Sequence, residues 1–295
     1  MPERSPDTPW AVMVLAHNEE RHIEACLDSI LGAEPGRRFE IFVMANGCTD
    51  GTERLVTGYG LRRSGVHLVS IGLGDKCNAW NVFIHETIPV RAPGCAVYFF
   101  MDGDARAVPG SFSAMSQALE RNPAANAASA VPASGRYVAS DRQQLLAERG
   151  LVANLYALRG SFVQRLQQHA VRMPLKLEGD DGLIGALVKW DLDPKNNEYD
   201  HGRIVPCADA AFEFEPMSLR RPADWIVYWK RAVRYGRRKY EFQILGPELK
   251  AKGLAGMPLD ITELYPRAAS LRLHPAGIYT LSNWAALRQM RRIRR

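Results

Sequence analysis

Four short apolar runs, separated by stretches with helical periodicity, constrain the fold of this chain more than any other feature. They span residues 10–16, 39–45, 66–71 and 95–101. Continuous apolar runs of this length are typical of strands that are buried on both faces. Strands that alternate with helices form β-α-β crossovers and so build a parallel sheet. We therefore predict an α/β fold with a Rossmann-like, mostly parallel central sheet flanked by helices.

Apolar spacing and capping residues predict the helices. The first carries apolar residues three and four positions apart from Ile23 to Leu31, so one of its faces can pack on the sheet. Thr52 is expected to cap the second helix, and Pro109 suits a first helical turn because its missing N–H would have no partner there. The other elements are predicted as helices over 75–87, 141–169 and 223–245, with a further apolar run over 203–212.

Composition and charge narrow the class of protein. Hydrophobic residues make up 46% and charged residues 24% of the chain, which is typical of a globular protein with a sizeable core. No run approaches the ~20 apolar residues that span a bilayer, and the first residues lack a signal-peptide core, so a cytoplasmic location is expected. The net charge of +6 favours anionic partners, but no motif for nucleic-acid recognition is present. Five scattered cysteines without a CxxC pair indicate reduced thiols.

Polar clusters follow three of the predicted strands. They are His17-Asn18-Glu19-Glu20, residues 46–52 and Asp102-Gly103-Asp104. Parallel sheets bind ligands at the carboxyl ends of their strands. Two carboxylates separated by one glycine at such an end offer oxygen ligands to a divalent cation that bridges to substrate phosphates. Taken alone, so short a motif is more often a surface turn whose carboxylate caps the next helix.

Six segments, in the same order along the chain, resemble the motifs of family 2 glycosyltransferases with the GT-A fold. They lie between residues 10 and 240 and read Ala16-His17-Asn18-Glu19-Glu20, Asn46-Gly47-Cys48-Thr49-Asp50-Gly51-Thr52, Gly74-Asp75-Lys76-Cys77-Asn78-Ala79-Trp80-Asn81, Asp102-Gly103-Asp104, Glu178-Gly179-Asp180-Asp181-Gly182-Leu183 and Arg231-Ala232-Val233-Arg234-Tyr235. The resemblance implies an inverting transfer of a sugar from a nucleoside-diphosphate donor to a hydroxyl acceptor in glycan, polysaccharide or glycolipid synthesis. It also implies a helical C-terminal extension on the acceptor side.

The resemblance assigns roles to individual residues of this sequence. Asp181 corresponds to the family's general base, which takes the proton from the acceptor hydroxyl. Asp102 and Asp104 correspond to metal ligands, and the implied cofactor is Mg²⁺ or Mn²⁺. Donor binding is implied for Asn18, Glu19, Asn46, Lys76, Asp102, Arg231 and Arg234. Several of these positions have an alternative interpretation. An acidic residue can simply stabilise a helix N-terminus, and a basic residue can lie on a solvated helix face.

Two positions depart from the family pattern. Asn46 stands where an aspartate usually contacts the nucleobase, and an amide both donates and accepts whereas a carboxylate only accepts. UDP is still the first expectation for the donor nucleotide, although this substitution weakens the inference. Tyr235 replaces the usual tryptophan, which leaves the acceptor side open.

Two other classes of function stay open at this point. A phosphatase or phosphotransferase of the haloacid-dehalogenase type also has Asp-x-Asp after an apolar strand, but usually after the first strand rather than the fourth. A nucleotide-sugar-binding module without turnover is the second alternative. Intact carboxylates at Asp102, Asp104 and Asp181 favour an enzyme over such a module.

The chain is expected to divide by function into two halves of one domain and an extension. Residues 1–125 would bind the donor, residues 126–245 would bind the acceptor and carry the base, and residues 246–295 would form the extension. The tail from Gly277 combines Trp, Leu and Ile with five arginines. It suits either a packed terminal helix with solvated arginines or a peripheral contact with an anionic membrane, which would fit a lipid-linked acceptor at the inner membrane face.

Overall fold

The computed structural model describes residues 9–135, 137–215 and 222–293. Within these ranges, eight strands form one sheet in the order β3-β2-β1-β4-β7-β6-β8-β5. They are β1 Trp10–Ala16, β2 Phe39–Asn46, β3 Val66–Ile71, β4 Val97–Asp102, β5 Ala105–Ala107, β6 Ala127–Pro132, β7 Leu155–Arg159 and β8 Ile204–Phe214. The four strands predicted from the N-terminal apolar runs form one half of the sheet and pair in parallel with one another.

The other half of the sheet has mixed strand directions. β7 runs antiparallel to both β4 and β6, β6 runs parallel to β8, and β5 runs antiparallel to β8. The sequence did not predict β5, β6 or β7. The α/β fold with a central sheet, flanking helices and a helical C-terminal region is confirmed.

Helices cover both faces of the sheet. They are α1 Ile23–Ala33, α2 Thr52–Arg62, α3 Lys76–Val82, α4 Ile88–Arg91, α5 Ser111–Arg121, α6 Val138–Glu148, α7 Gly160–Gln168, α8 Asp180–Lys189, α9 Pro222–Lys252 and α10 Thr280–Arg292. Buried residues of α1, α2 and α5 share one core with one face of the sheet. Residues of α3 and α7 to α10 share the second core with the opposite face.

Alternation along β4 shows why a continuous apolar run was required. Tyr98 and Phe100 belong to the core beneath α7 to α10, whereas Phe99 and Met101 belong to the core beneath α1, α2 and α5. Successive side chains of a strand point to opposite faces, so a strand covered on both sides has no position for a polar residue until it ends. In β4 that end is Asp102.

The prediction of a single helix over 141–169 was wrong. This region contains α6, the strand β7 and α7. Arg149 ends α6 with a left-handed backbone (φ 49°), and the next residue is Gly150. β7 is then buried between β4 and β6, where its five residues complete the ladder. A short apolar run of this kind has no periodicity that separates a buried strand from a buried helix.

The C-terminal region is folded against the body of the protein. After α9, short 3₁₀ segments lead to α10, which packs on α9. A Cβ on Gly236 would lie 2.9 Å from Asn283 Oδ1 and 3.1 Å from Ala286 Cβ, so a glycine at this position allows the two helices to approach closely. None of the described helices is long and apolar enough to cross a membrane.

Candidate active site

A glycine brings the carboxyl ends of β1 and β4 together. The amide of Gly103 donates to the carbonyl of Leu15 at 2.8 Å, and a Cβ on Gly103 would lie only 2.9 Å from that oxygen. Glu19, in the segment after β1, lies against the same glycine. Burial raises the pKa of Glu19, as do the charges of Asp104 and Asp102, against an opposing hydrogen bond from His22. Three carboxylates therefore lie near one another at this edge.

Lys76 joins the strand-end carboxylates to a second acidic cluster. It begins α3, and its Nζ donates to Asp102 Oδ1 at 3.0 Å and lies 3.4 Å from Asp180 Oδ2. Burial disfavours the charged ammonium, but Asp102, Asp180 and Asp181 together raise the pKa of Lys76 well above its usual value. The side chain therefore stays protonated and places a fixed positive charge between the two clusters.

Asp181 lies in the first turn of α8 and is held by two donors. Its Oδ1 accepts a hydrogen bond from the amide of Gly182 at 2.8 Å and lies 3.0 Å from Nη1 of Arg238. Only 13% of its side chain is exposed. Burial and the neighbouring charge of Asp180 raise the pKa of Asp181, while Arg238 and Lys76 oppose the rise. A carboxylate in such a setting binds a proton more readily than an exposed one.

Two glycines allow α9 to approach this acidic segment. A Cβ on Gly179 would lie 2.8 Å from Cγ of Arg238, and one on Gly182 would lie 3.0 Å from Nη2 of the same arginine. Both positions would also crowd the ring of Phe242. The glycines on either side of Asp180-Asp181 thus leave room for the guanidinium that contacts the base candidate.

A buried carboxyl fixes the start of the same segment. Glu241 of α9 is fully buried, accepts from the amide of Glu178 at 2.9 Å and accepts from the hydroxyl of Tyr265 at 2.7 Å. Arg237 forms an ion pair with Glu178 and lies 3.6 Å from Glu241 through its Nε. Backbone and side chain of residue 178 are therefore both tied to α9, three residues before Asp181.

Asp102 and Asp104 supply the oxygen atoms that a divalent cation would require. Asp104 is exposed, and Asp102 is partly exposed and bound to Lys76. In the described part of the chain, no group of three or more His, Cys, Asp or Glu side chains is arranged to hold a metal ion. Two carboxylates fit a cation whose remaining ligands are substrate phosphates and water, as is common for Mg²⁺.

Asn46 and Asn18 both form hydrogen bonds that link the end of β1 to the end of β2. Asn46 is buried, and its Nδ2 donates to the carbonyl of Ala16 at 2.8 Å. A carboxylate could not make this bond, because it has no hydrogen to donate. Asn18 has a left-handed backbone (φ 59°), and its Oδ1 accepts from the amide of Thr49 at 2.8 Å. Both amides thus connect the loops that follow β1 and β2.

Arg231 and Arg234 lie on α9 before the contact with Asp181. Nε of Arg231 donates to the hydroxyl of Tyr235 at 3.0 Å, four residues further along the same helix. Arg234 is exposed. The arginine of α9 that reaches the base candidate is Arg238, which the sequence analysis did not single out.

Comparison with known families decides the class of protein. The model of glycosyl transferase family 2 matches residues 11–172, which is more than half of the chain. The chain belongs to this family. It is a glycosyltransferase, and the matched range includes the strand-end carboxylates and Lys76. This assignment decides against the haloacid-dehalogenase alternative. The curated proteins contain no match to the sequence.

Solved structures support the GT-A fold of this glycosyltransferase. A mannosyltransferase from Pyrobaculum calidifontis, PcManGT, solved with GDP-Man and Mn²⁺, is 18% identical with a TM-score of 0.58 over 99% of this chain and 85% of that one. TarS 1–349 from S. aureus, solved with UDP-GlcNAc, is 14% identical with a TM-score of 0.53 over 97% and 90% of the two chains. At these identities the likeness establishes the fold alone.

The residues that sequence reasoning missed in this glycosyltransferase all lie on α9 or bind to it. They are Arg237, Arg238, Glu241 and Tyr265. One signal was available in the sequence: Arg231, Arg234 and Arg238 recur at helical spacing and share a face of α9. The glycines flanking Asp180-Asp181 were a second signal, since they indicate close approach of another element.

Proposed function

We propose that this glycosyltransferase moves a sugar from a nucleoside-diphosphate donor to a hydroxyl acceptor with inversion at the anomeric carbon. Asp181 is the general base, and Asp102 and Asp104 are the ligands of a divalent cation. Residues 1–125 bind the donor, and residues 126–245 bind the acceptor and carry the base. The observation that carries the proposal is the bridge from Asp102 through Lys76 to Asp180, next to Asp181.

The bridge supports the proposal because donor and acceptor chemistry must take place side by side. Asp102 ends β4, Lys76 begins α3 and Asp180 begins α8, so three separate segments converge. A protonated Lys76 next to Asp102 is suited to interact with the donor diphosphate. The adjacent Asp181 is then on the side from which the acceptor hydroxyl enters.

The proposed step transfers one proton and exchanges one bond. The acceptor oxygen attacks the anomeric carbon while Asp181 takes the hydroxyl proton, and the bond from that carbon to the phosphate oxygen breaks. The electron pair of that bond leaves with the nucleoside diphosphate. Arg238 keeps the Asp181 carboxylate oriented, and its positive charge favours the ionised form by opposing the rise in the pKa of Asp181. A base positioned in this way typically contributes 10²–10⁴-fold in rate.

Mg²⁺ or Mn²⁺, when held by Asp102 and Asp104, would offset the negative charge on the leaving diphosphate. Lys76 contributes a further positive charge from the protein itself. Glu19 and Asn18, at the end of β1, lie on the donor side of the site. Arg231 and Arg234 are assigned to the same donor on the strength of the sequence motif alone.

UDP is our first candidate for the donor nucleotide. The two solved relatives carry different nucleotides, GDP-Man in one and UDP-GlcNAc in the other. The buried bond from Asn46 to Ala16 gives this asparagine a structural role and so makes its identity a weak guide to the base. The acceptor is a hydroxyl, and a lipid-linked glycan is the acceptor class that fits the C-terminal surface described below.

A panel of UDP, GDP, dTDP and CDP, each with and without Mn²⁺, tests this function in a thermal unfolding assay. One nucleotide at about 100 times its Kd should stabilise the protein by about 2.7 kcal/mol, or about 4 °C in this size of chain, and only with the metal. Asp104→Ala should abolish the metal-dependent shift, whereas the exposed Asp141→Ala should keep it. A wild-type protein that no nucleotide stabilises in the presence of Mn²⁺ would contradict the proposal.

A further inference from the structure

The first turns of α9 expose large apolar side chains. Ile226 is 62%, Val227 is 46% and Trp229 is 44% exposed. Val233 is the first apolar residue of the helix that is buried among the described side chains. Single exposed apolar residues are ordinary on protein surfaces, but several together in one segment mark a contact surface.

Helix α10 and the turn before it repeat this pattern. Ile278 is 88% exposed, and Leu281 and Trp284 also face outward. The opposite side of α10 is buried against the protein through Ala286, Leu287 and Met290, so the helix already has its intramolecular packing. The outer apolar residues are therefore additional to those that hold α10 in place.

The two exposed segments belong to neighbouring helices, since Gly236 of α9 lies against Asn283 and Ala286 of α10. Of the seventeen large apolar side chains that are exposed in the described residues, ten fall within 225–235 and 278–293. The exposed apolar residues of this protein are thus concentrated on one pair of helices.

Charge in the two exposed segments, residues 225–240 of α9 and residues 277–293, has a single sign. Residues 225–240 and 277–293 contain nine lysines and arginines and no aspartate or glutamate. Arg237 and Arg238 pair with Glu178 and Asp181, but Lys230, Arg288 and Arg292 are exposed. A cleft beside α10 is lined by Leu273, Trp284, Leu287, Arg288, Arg291 and Arg292. Apolar groups and guanidinium groups therefore line the same cleft.

We propose that the α9–α10 surface docks on the face of a bilayer that contains anionic phospholipid. We define this surface by Ile226, Val227, Trp229, Ile278, Leu281 and Trp284 together with Lys230, Arg288 and Arg292. Tryptophan and aliphatic side chains enter the boundary between headgroups and acyl chains, and basic side chains remain among the anionic headgroups. The absence of acidic residues from both segments favours an anionic membrane over a protein partner of mixed charge.

Docking there would bring the active site close to the bilayer. Trp229 and Arg238 are nine residues apart on α9, a rise of about 14 Å along the helix axis. Arg238 contacts Asp181. An acceptor anchored in the membrane would thus be presented near the base candidate, which is how this inference bears on the proposed function.

Vesicle sedimentation with the full chain tests the proposal. We expect binding to vesicles of phosphatidylcholine with 30 mol% phosphatidylglycerol at low salt, and weak binding to pure phosphatidylcholine or at high salt. The double variant Arg288→Gln with Arg292→Gln should weaken binding to the anionic vesicles roughly 30-fold, because each lost charge lowers the affinity about fivefold. Ile226→Ser with Trp229→Ser should weaken it about tenfold or more.

Matched controls use exposed residues of the same types elsewhere. Leu61→Ser with Val90→Ser, both more than three-quarters exposed, and Arg63→Gln with Arg121→Gln should leave vesicle binding unchanged. If the wild type binds pure phosphatidylcholine vesicles as well as anionic ones, that result alone overturns the proposal. A concentration-dependent dimer in sedimentation velocity, lost in the α9 and α10 variants but not in the controls, would overturn it in favour of a second copy of this chain. Mn²⁺-dependent nucleotide binding, measured without vesicles, tests the proposed function separately.

Discussion

Replacing Glu241 by glutamine should change how the stability of the protein depends on pH. Glu241 is the buried carboxyl that ties Glu178 and Tyr265 to α9. Glutamine keeps one acceptor oxygen and nearly the same shape, and it cannot ionise. The substitution therefore removes the titration of this side chain while preserving most of its packing.

The sign and size follow from the pKa of the buried group. Burial raises the pKa of Glu241 to about 7, from 4.5, against hydrogen bonding from Tyr265 and the charge of Arg237. A carboxyl with a raised pKa favours the folded state when it is protonated, so its contribution is full below pH 4.5 and is lost as the pH rises through 7. That loss is about 3 kcal/mol in total and about 2.5 kcal/mol between pH 5 and pH 8.

Urea unfolding of wild type and Glu241→Gln at pH 5 and pH 8 measures this contribution. The variant should gain about 2.5 kcal/mol relative to wild type on going from pH 5 to pH 8, because both proteins share every other titrating group. The exposed Glu86→Gln should show no such gain. Parallel pH dependence of wild type and Glu241→Gln would refute the reasoning.

Two further substitutions test other parts of the structure. Asn46→Asp should lower the free energy of unfolding by about 1–3 kcal/mol at neutral pH, because a carboxylate would face the carbonyl of Ala16 without a hydrogen to donate, and unchanged stability in urea unfolding would contradict this role. Arg238→Met should raise the pKa of Asp181 and move the acidic limb of the kcat–pH profile to higher pH, since Arg238 opposes the effects of burial and Asp180. The exposed Lys239→Met should leave the profile in place, and an equal shift in both variants would refute a specific effect of Arg238.

Most of the parallel half of the sheet was predictable because β1, β2 and β4 are buried on both faces. Every residue of β4, Val97–Asp102, is apolar until the strand ends at Asp102. This pattern identifies the strand, and it also identifies the end of the strand at which a ligand can bind. The same argument placed Asp102 among the candidates, whereas Lys76 and Asp181 were implied by the family resemblance. The structure brings Lys76 within 3.4 Å of Asp102 and Asp180.

The half of the sheet with mixed strand directions was not predictable by the same means. β6 is an alanine-rich stretch, Ala127–Pro132, and β7 has only five residues, none of them β-branched, so neither has the β-branched content that marks a strand. Both are fixed by long-range pairing with β4 and β8.

The arginine that contacts Asp181 depends on where two helices cross. Arg231, Arg234 and Arg238 follow one another at three and four residues, both helical spacings, and the motif singled out the first two. The crossing point is set by Gly179 and Gly182, which admit Arg238 and Phe242 at close range. Asp181 and Arg238 are 57 residues apart in the sequence. Their contact depends on how the two helices pack, which local sequence patterns do not encode.

The central claim is that Asp181 takes the proton from the acceptor hydroxyl, and Asp181→Asn tests it most directly. Asparagine keeps an oxygen that can accept from Gly182 and Arg238 but cannot take up the proton. We predict a 10²- to 10⁴-fold loss of turnover with unchanged Mn²⁺-dependent affinity for the donor nucleotide, while Asp141→Asn keeps full activity. Asp181→Asn turning over at the wild-type rate would contradict the account.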